Sequence, residues 1–202
     1  ACAFDAFCHS FESLMGDYQM IFSSLAKESI RLVLNHLTSA YYQESTPDKD
    51  CLAKASFLSG CVLGVEMTTH GLPIHSIGLP LSEKYKISHG QSLAWVAPYI
   101  IEFIIEKNVH SISQISRGCG IQIENEQESA IELLRLIKKM LRDTNLIKPK
   151  ELVITALDIE ELAQMACLSK TTTNNGILPF TKDMCKVIYQ RVAEDGYESW
   201  EV

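Results

Sequence analysis

The chain has 202 residues, 47% of them hydrophobic, which is enough to bury one sizeable core or two small ones. Its formal net charge is -7, with 18 Lys and Arg against 25 Asp and Glu, and its sequence pI is about 5.4. No basic stripe or aromatic-basic interleaving invites nucleic acid. The most apolar run, Leu93 to Ile105, contains Pro98 and Glu102 and is too short to span a bilayer.

Apolar periodicity is helical nearly throughout, so the expected fold is an all-α helical bundle occupying residues 1–202 as one domain. The first helix carries Ala3, Phe4, Ala6, Phe7, Phe11, Leu14 and Met15, with no proline before position 47. A second repeats Phe22, Ala26, Ile30, Val33 and Leu37 at i+3 and i+4. Gln43 to Asp50, containing Ser45, Thr46, Pro47 and Asp48, reads as a loop. A third helix is expected from about Cys51 to Thr69, with Gly60 and Gly64 on one face, which suggests close backbone packing there. After Gly71-Leu-Pro73, a short helix or turn begins at His75 and ends near Pro80. Leu93 to Ile105, apolar all round, reads as a central buried helix that Pro98 should kink or restart. Ile131, Leu134, Ile137 and Leu141 define an amphipathic helix within Glu124 to Leu141. Asp158 and Glu161 have the form of a capping box for a helix through Cys167. Ser169 to Gly176 is a polar loop, and Thr181 caps a last helix carrying Met184, Val187, Ile188 and Val192.

Four polar residues stand out against this apolar background: Asp5, His9, His75 and His89. Asp5 and His9 are four apart and therefore share one helix face, with Cβ atoms roughly 6 Å apart. One carboxylate and three imidazoles form a coordination set that suits Fe²⁺ or Zn²⁺ and would be poor for Ca²⁺ or Mg²⁺. Taken singly, each has an ordinary alternative as a solvated pair or a core hydrogen bond. His36, His70 and His110 are read as structural, with His70 at a helix end or beside the pocket. The seven cysteines are scattered, odd in number and without a Cys-x-x-Cys pair, which argues for buried thiols in a reducing cytoplasm. No secretory signal is visible.

The sequence around the quartet resembles the iron-containing alcohol dehydrogenase family. Asp5-Ala-Phe-Cys-His9-Ser-Phe-Glu12 is similar to the family's Asp-Ala-Leu-x-His-x-x-Glu. Ala55-Ser-Phe-Leu-Ser-Gly60 to Gly64 resembles the family helix that leads to the first metal histidine. His75-Ser-Ile-Gly78 through His89-Gly90 has the family's spacing between its two metal histidines and its terminal His-Gly. Ala97-Pro98-Tyr-Ile-Ile-Glu-Phe103 is similar to Leu-Pro-x-Val-x-x-Phe, and Asn175 to Asp183 loosely resembles Asn-Pro-Arg-x-x-Thr-x-x-Asp. The related dehydroquinate synthases, which use Glu where Asp5 stands and space their histidines differently, fit less well.

The resemblance implies the family's C-terminal metal-binding helical domain. Asp5, His9, His75 and His89 would hold Fe²⁺, or Zn²⁺, beside a small alcohol or aldehyde, and Glu12 would orient a ligand or simply pack. It also implies NAD or NADP as the hydride partner, bound mainly by a preceding nucleotide-binding domain, and it implies a homodimer, for which no surface patch can be assigned. No glycine-rich phosphate loop follows a strand here, and Gly118-Cys-Gly120 is too short. The chain begins at Ala1, almost on the metal motif, which reads as the second half of a longer protein. Two departures matter. Leu79 stands where the family usually has a histidine implicated in proton transfer, and Leu81-Ser-Glu-Lys-Tyr85 replaces Leu-Gly-x-x-Tyr. Glu83 and Lys84 there are either solvated or in polar contact with substrate. These departures keep open a second reading, a non-catalytic helical module retained for assembly or partner binding.

Overall fold

Among the described residues, the length and spacing of the apolar stripes are realised as eight α-helices and no strand. The structure is a computed structural model and describes residues 1–16, 20–43, 46–66, 72–168 and 180–194. The helices are α1 (Cys2–Ser13), α2 (Met20–Gln43), α3 (Thr46–Glu66), α4 (Pro73–Tyr85), α5 (His89–Gly118), α6 (Glu126–Asp143), α7 (Ala156–Leu168) and α8 (Lys182–Glu194). The all-α expectation holds. No described helix is long and apolar enough to cross a membrane. His70, the polar loop Ser169 to Gly176, residues 175–179 of the Asn175–Asp183 segment and the expected end of the third helix at 67–69 lie outside the described residues.

The run beginning at Leu93 forms the core of the bundle. Leu93 to Ile101 are all buried, together with Ile104 and Ile105. Helix α1 packs on α2, α3, α4 and α5, α2 packs on α3, and α5 packs on α4, α6 and α8. Phe4, Phe7 and Phe11 are fully buried and stacked in sequence, with ring centroids 5.2 Å and 5.8 Å apart. Buried polar ties lock neighbours together: Ser29 Oγ donates to Ala55 O at 2.9 Å, Ser116 Oγ to Ser129 O at 2.8 Å, and the Tyr189 hydroxyl to Ile77 O at 2.6 Å.

Several local expectations are corrected. The loop after Gln43 is shorter than expected, because α3 begins at Thr46. Pro47 fits that first turn, where its missing N–H has no helical partner to lose. Asp48 is tied to α2 by His36 Nδ1 at 2.6 Å and Ser39 Oγ at 2.7 Å. Gly60 is exposed, and a Cβ added there would meet nothing within 4 Å, so it marks no close packing.

Pro80 does not end α4, which continues to Tyr85. Burial of Pro80 and Leu81 offsets the lost backbone bond, and Lys84 pins the last turn to α7 through Asp158 at 2.9 Å and Glu161 at 2.5 Å. Lys84 is therefore a structural tie, while Glu83 is exposed. The break in α5 falls at Asn108 (φ -152, ψ 71), ten residues beyond Pro98. Asn108 Oδ1 accepts from Ser111 N at 3.3 Å, as an N-cap does at the start of a new helical segment. In α6, Leu134, Ile137 and Leu141 are buried, but Ile131 is exposed, and Ala130 and Leu133 complete the inner face. The capping box of α7 is Thr155 with Asp158: Asp158 N donates to Thr155 Oγ1 at 3.2 Å, and Thr155 N donates to Asp158 Oδ2 at 2.8 Å. Thr181 caps α8 as expected, accepting from Met184 N at 3.3 Å, although Val187 is exposed.

Candidate metal centre

The four singled-out residues come from three helices and meet at one place. On α1 the phenylalanines face inward, which turns Asp5 and His9 to the opposite, half-buried face. His75 lies in the first turn of α4, and His89 is the first residue of α5, next to Ser88 in extended conformation.

Asp5 Oδ1 is the hub. It lies 3.3 Å from His75 Nε2, 3.6 Å from His89 Nε2 and 3.9 Å from His9 Nε2. Asp5, His75 and His89 offer ligand atoms that all lie within 4.8 Å of one another. His9 stands at the margin of that trio, its ring stacked on that of His75 with centroids 4.2 Å apart and planes 10° from parallel. Four ligands at bonds of about 2.1 Å in a tetrahedron sit about 3.4 Å from each other. The separations of the three imidazole nitrogens from Asp5 Oδ1 are of that scale.

The charge balance of the site points the same way. Glu12 is 1% exposed and contacts His75 Nδ1, which assigns the proton on that nitrogen to the Glu12 hydrogen bond. Nε2 then either carries a second proton or turns a lone pair toward Asp5. Burial pushes His75 down, but the charge of Glu12 and the hydrogen bonds to Asp5 and Glu12 outweigh it and raise its pKa to about 9. Without a metal, an imidazolium supplies the positive charge. Burial, together with the charge of His75, lowers His9 to about 4. Burial also raises Asp5, but the His75 hydrogen bond and the surrounding imidazoles hold its carboxyl below the usual value. A carboxylate facing three imidazoles is a donor set that a divalent cation would satisfy. The centre is open to solvent: the side chains of His89, Asp5, His9 and His75 are 40%, 28%, 20% and 14% exposed.

Glu12 does more than the sequence indicated. Its Oε1 accepts from Ile74 N at 2.5 Å and from His75 N at 3.3 Å, so one buried carboxylate caps the start of α4 and orients a ring in that same turn. The family match at Glu12 was the available signal. The partner, 62 residues away, was not visible. Gly90 is a second such residue. A Cβ there would lie 2.3 Å from Ala1 O and 2.7 Å from Ala1 C, so only glycine lets the start of α1 touch the start of α5. At Gly78 a Cβ would come within 2.7 Å of Leu93 Cδ2 and 3.3 Å of Leu93 Cα, so α4 closes on α5 one turn beyond His89. Leu79 is 45% exposed.

The family model described as "Fe-containing alcohol dehydrogenase family, C-terminal" matches residues 1–192. The chain belongs to the Fe-containing alcohol dehydrogenase family. Among curated members, Long-chain-alcohol dehydrogenase 1 of Geobacillus thermodenitrificans (strain NG80-2) is 24% identical over 199 residues, covering 94% of this chain and 49% of that protein. The archaeal halo-thermophilic Red Sea brine pool alcohol dehydrogenase ADH/D1, solved bound to NZQ, superposes with a TM-score of 0.80 at 25% identity, over 94% of this chain and 49% of that one. Sulfoacetaldehyde reductase from Bifidobacterium kashiwanohense, solved in complex with NAD⁺, gives 0.81 at 20% identity, over 95% and 49%. The chain thus spans about half the length of the family relatives it matches.

Proposed function

We propose that this chain is the metal-binding part of an NAD(P)-dependent alcohol dehydrogenase, with Asp5, His9, His75 and His89 holding Fe²⁺, or alternatively Zn²⁺. The observation that carries the reading is the placement of Asp5 Oδ1 within 3.3 to 3.9 Å of three imidazole nitrogens from three helices. When bound, the ion supplies Lewis acidity, which lowers the pKa of an alcohol and polarises the corresponding aldehyde. Glu12 fixes His75 in the tautomer that leaves Nε2 free to ligate, and its burial stops the carboxylate from turning toward water. The stacked His9 ring restricts rotation of His75. The open face at His89 leaves room for a small alcohol or aldehyde.

The sequence has no glycine-rich phosphate loop following a strand, which supports a nicotinamide bound mainly by a nucleotide-binding domain outside this chain. The family relative solved with NAD⁺ supports that cofactor class. All seven cysteines are free, which supports a cytoplasmic setting.

Metal analysis of the chain purified without added metal tests the reading. One equivalent of iron or zinc is expected, lost in the double variant His75→Ala, His89→Ala. A metal-free chain whose folding is unchanged in that variant would favour a non-catalytic assembly module instead. The isolated chain given NAD⁺ and simple alcohols should show no turnover, and robust NADH formation would refute the need for a further domain.

A further inference from the structure

The surface beside the metal centre is divided in an informative way. On α4, Ile74, Ser76, Ile77, Gly78, Pro80 and Leu81 are buried, which leaves His75, Leu79 and then Ser82 and Glu83 along the outward stripe. Of the large hydrophobic residues exposed among the described residues, Leu79 alone stands on a helix that carries one of the four metal-site residues. A single exposed leucine is ordinary. This one lies one helical turn beyond His75, and helical side chains lean toward the N-terminus, so its isobutyl group lies over the turn that holds His75.

We propose that Leu79 is a specificity-determining residue, and that the substrate is an unbranched primary alcohol or aldehyde whose apolar chain lies across it. The inference rests on the metal-centre reading above. Four residues of helix separate His75 from Leu79 by about 6 Å along the axis, roughly the length of a chain of four or five carbons. A substrate with its oxygen at the metal centre and a chain of that length covers Leu79 and removes apolar surface from water. A short or polyhydroxylated substrate leaves Leu79 wet and gains nothing from it. One turn further, exposed Glu83 opposes a carboxylate or sulfonate tail.

The test uses the chain loaded with Co²⁺ and titrated anaerobically with n-alkanethiols from ethanethiol to hexanethiol, the thiolate standing in for an alkoxide. The sulfur-to-cobalt charge-transfer band reports only thiol bound at the metal, so adsorption elsewhere does not register. Affinity should rise about three- to fourfold per methylene once the chain reaches Leu79. The sulfonate-tailed 2-mercaptoethanesulfonate should bind at least about tenfold more weakly than butanethiol. Leu79→Ser should flatten the chain-length dependence to less than about twofold per methylene, with one equivalent of cobalt still bound. A flat dependence in the parent chain, or an equal slope in Leu79→Ser, with cobalt bound stoichiometrically in both, overturns the role of Leu79 and leaves the metal centre standing. Failure of the parent chain to bind cobalt overturns the metal centre and the inference with it.

Discussion

Gly90→Ala probes how the proposed ligands of α1 and α5 are held together. The added methyl would sit 2.3 Å from Ala1 O, a backbone atom that cannot swing aside as a side-chain end could. Restoring ordinary contact requires α1 to move away from α5 by about 1 Å, several times the roughly 0.2 Å over which metal–ligand distances can vary. That movement carries Asp5 and His9 away from His89. Overpacking should cost about 1–3 kcal/mol of stability, and metal affinity should fall about 10- to 100-fold. Binding linkage makes the loss visible in melting curves. Metal at about 100 times the parent dissociation constant stabilises the parent by about 2.7 kcal/mol, but a variant binding about 100-fold more weakly gains only about 0.4 kcal/mol. Thermal denaturation with and without Zn²⁺ therefore reads both effects at once. Gly60→Ala is the matched control: its Cβ meets nothing within 4 Å, and the change should stabilise the exposed helix interior by about 0.5–1 kcal/mol. A Gly90→Ala chain with the parent's melting temperature and the parent's metal-induced shift would refute the account.

Glu12→Gln keeps the volume but removes the charge that caps α4 and holds His75. It should weaken metal binding about 10- to 100-fold and cost about 1–3 kcal/mol of stability. Calorimetric metal titration checks the first effect, and an unchanged affinity would reduce Glu12 to a packing residue. Asp158 gives a pH dependence. The Lys84 ammonium, then the Thr155 N–H and hydroxyl, hold its carboxyl well below the usual carboxylate range. A depressed folded-state pKa means that this stabilisation is complete above the unfolded value of about 4 and drains away as pH falls toward the lowered folded value. Asp158→Asn should melt earlier than the parent at neutral pH and lose less on acidification. Melting curves from about pH 6 to about pH 3 compare the two slopes, and parallel slopes contradict the assignment.

The helices were legible wherever a repeating stripe met the core, as at Ala26, Ile30, Val33 and Leu37, all buried. The four residues of the centre were legible only through the words around them, since nothing in the spacing of Asp5 and His75 says that 70 residues of chain return to one point. The proline at Pro80 does not end α4, and at Pro98 the backbone stays helical with no restart. Each sits among buried residues, and tertiary packing outweighs one missing N–H there. The break at Asn108 carried a weaker signal, a side chain able to cap the next helical segment. Gly60 and Gly90 show the same limit from the other side. Glycine reports that a Cβ is dispensable, but only the fold distinguishes an open helix face from a backbone contact.

Three close contacts link in pairs the three helices that carry the proposed ligands. Gly90 against Ala1 joins α5 to α1, Gly78 against Leu93 joins α4 to α5, and Glu12 beneath Ile74 and His75 joins α1 to α4. Three rigid rods fixed pairwise at points within a turn or two of their ligands cannot shift one ligand without straining a buried contact. None of the three contacts involves a metal. The centre should therefore hold its shape before any ion arrives, unlike small sites whose folding depends on metal. Hydrogen exchange tests this directly. The amides of Ile74 and His75, both donating to Glu12, should be protected in chain stripped of metal by chelation, and added Zn²⁺ should slow exchange around Asp5, His9 and His89 without ordering α1 or α4 anew. Exchange of the α4 first turn at unfolded-chain rates until metal is supplied would show instead that the ion, and not the helix contacts, assembles the site.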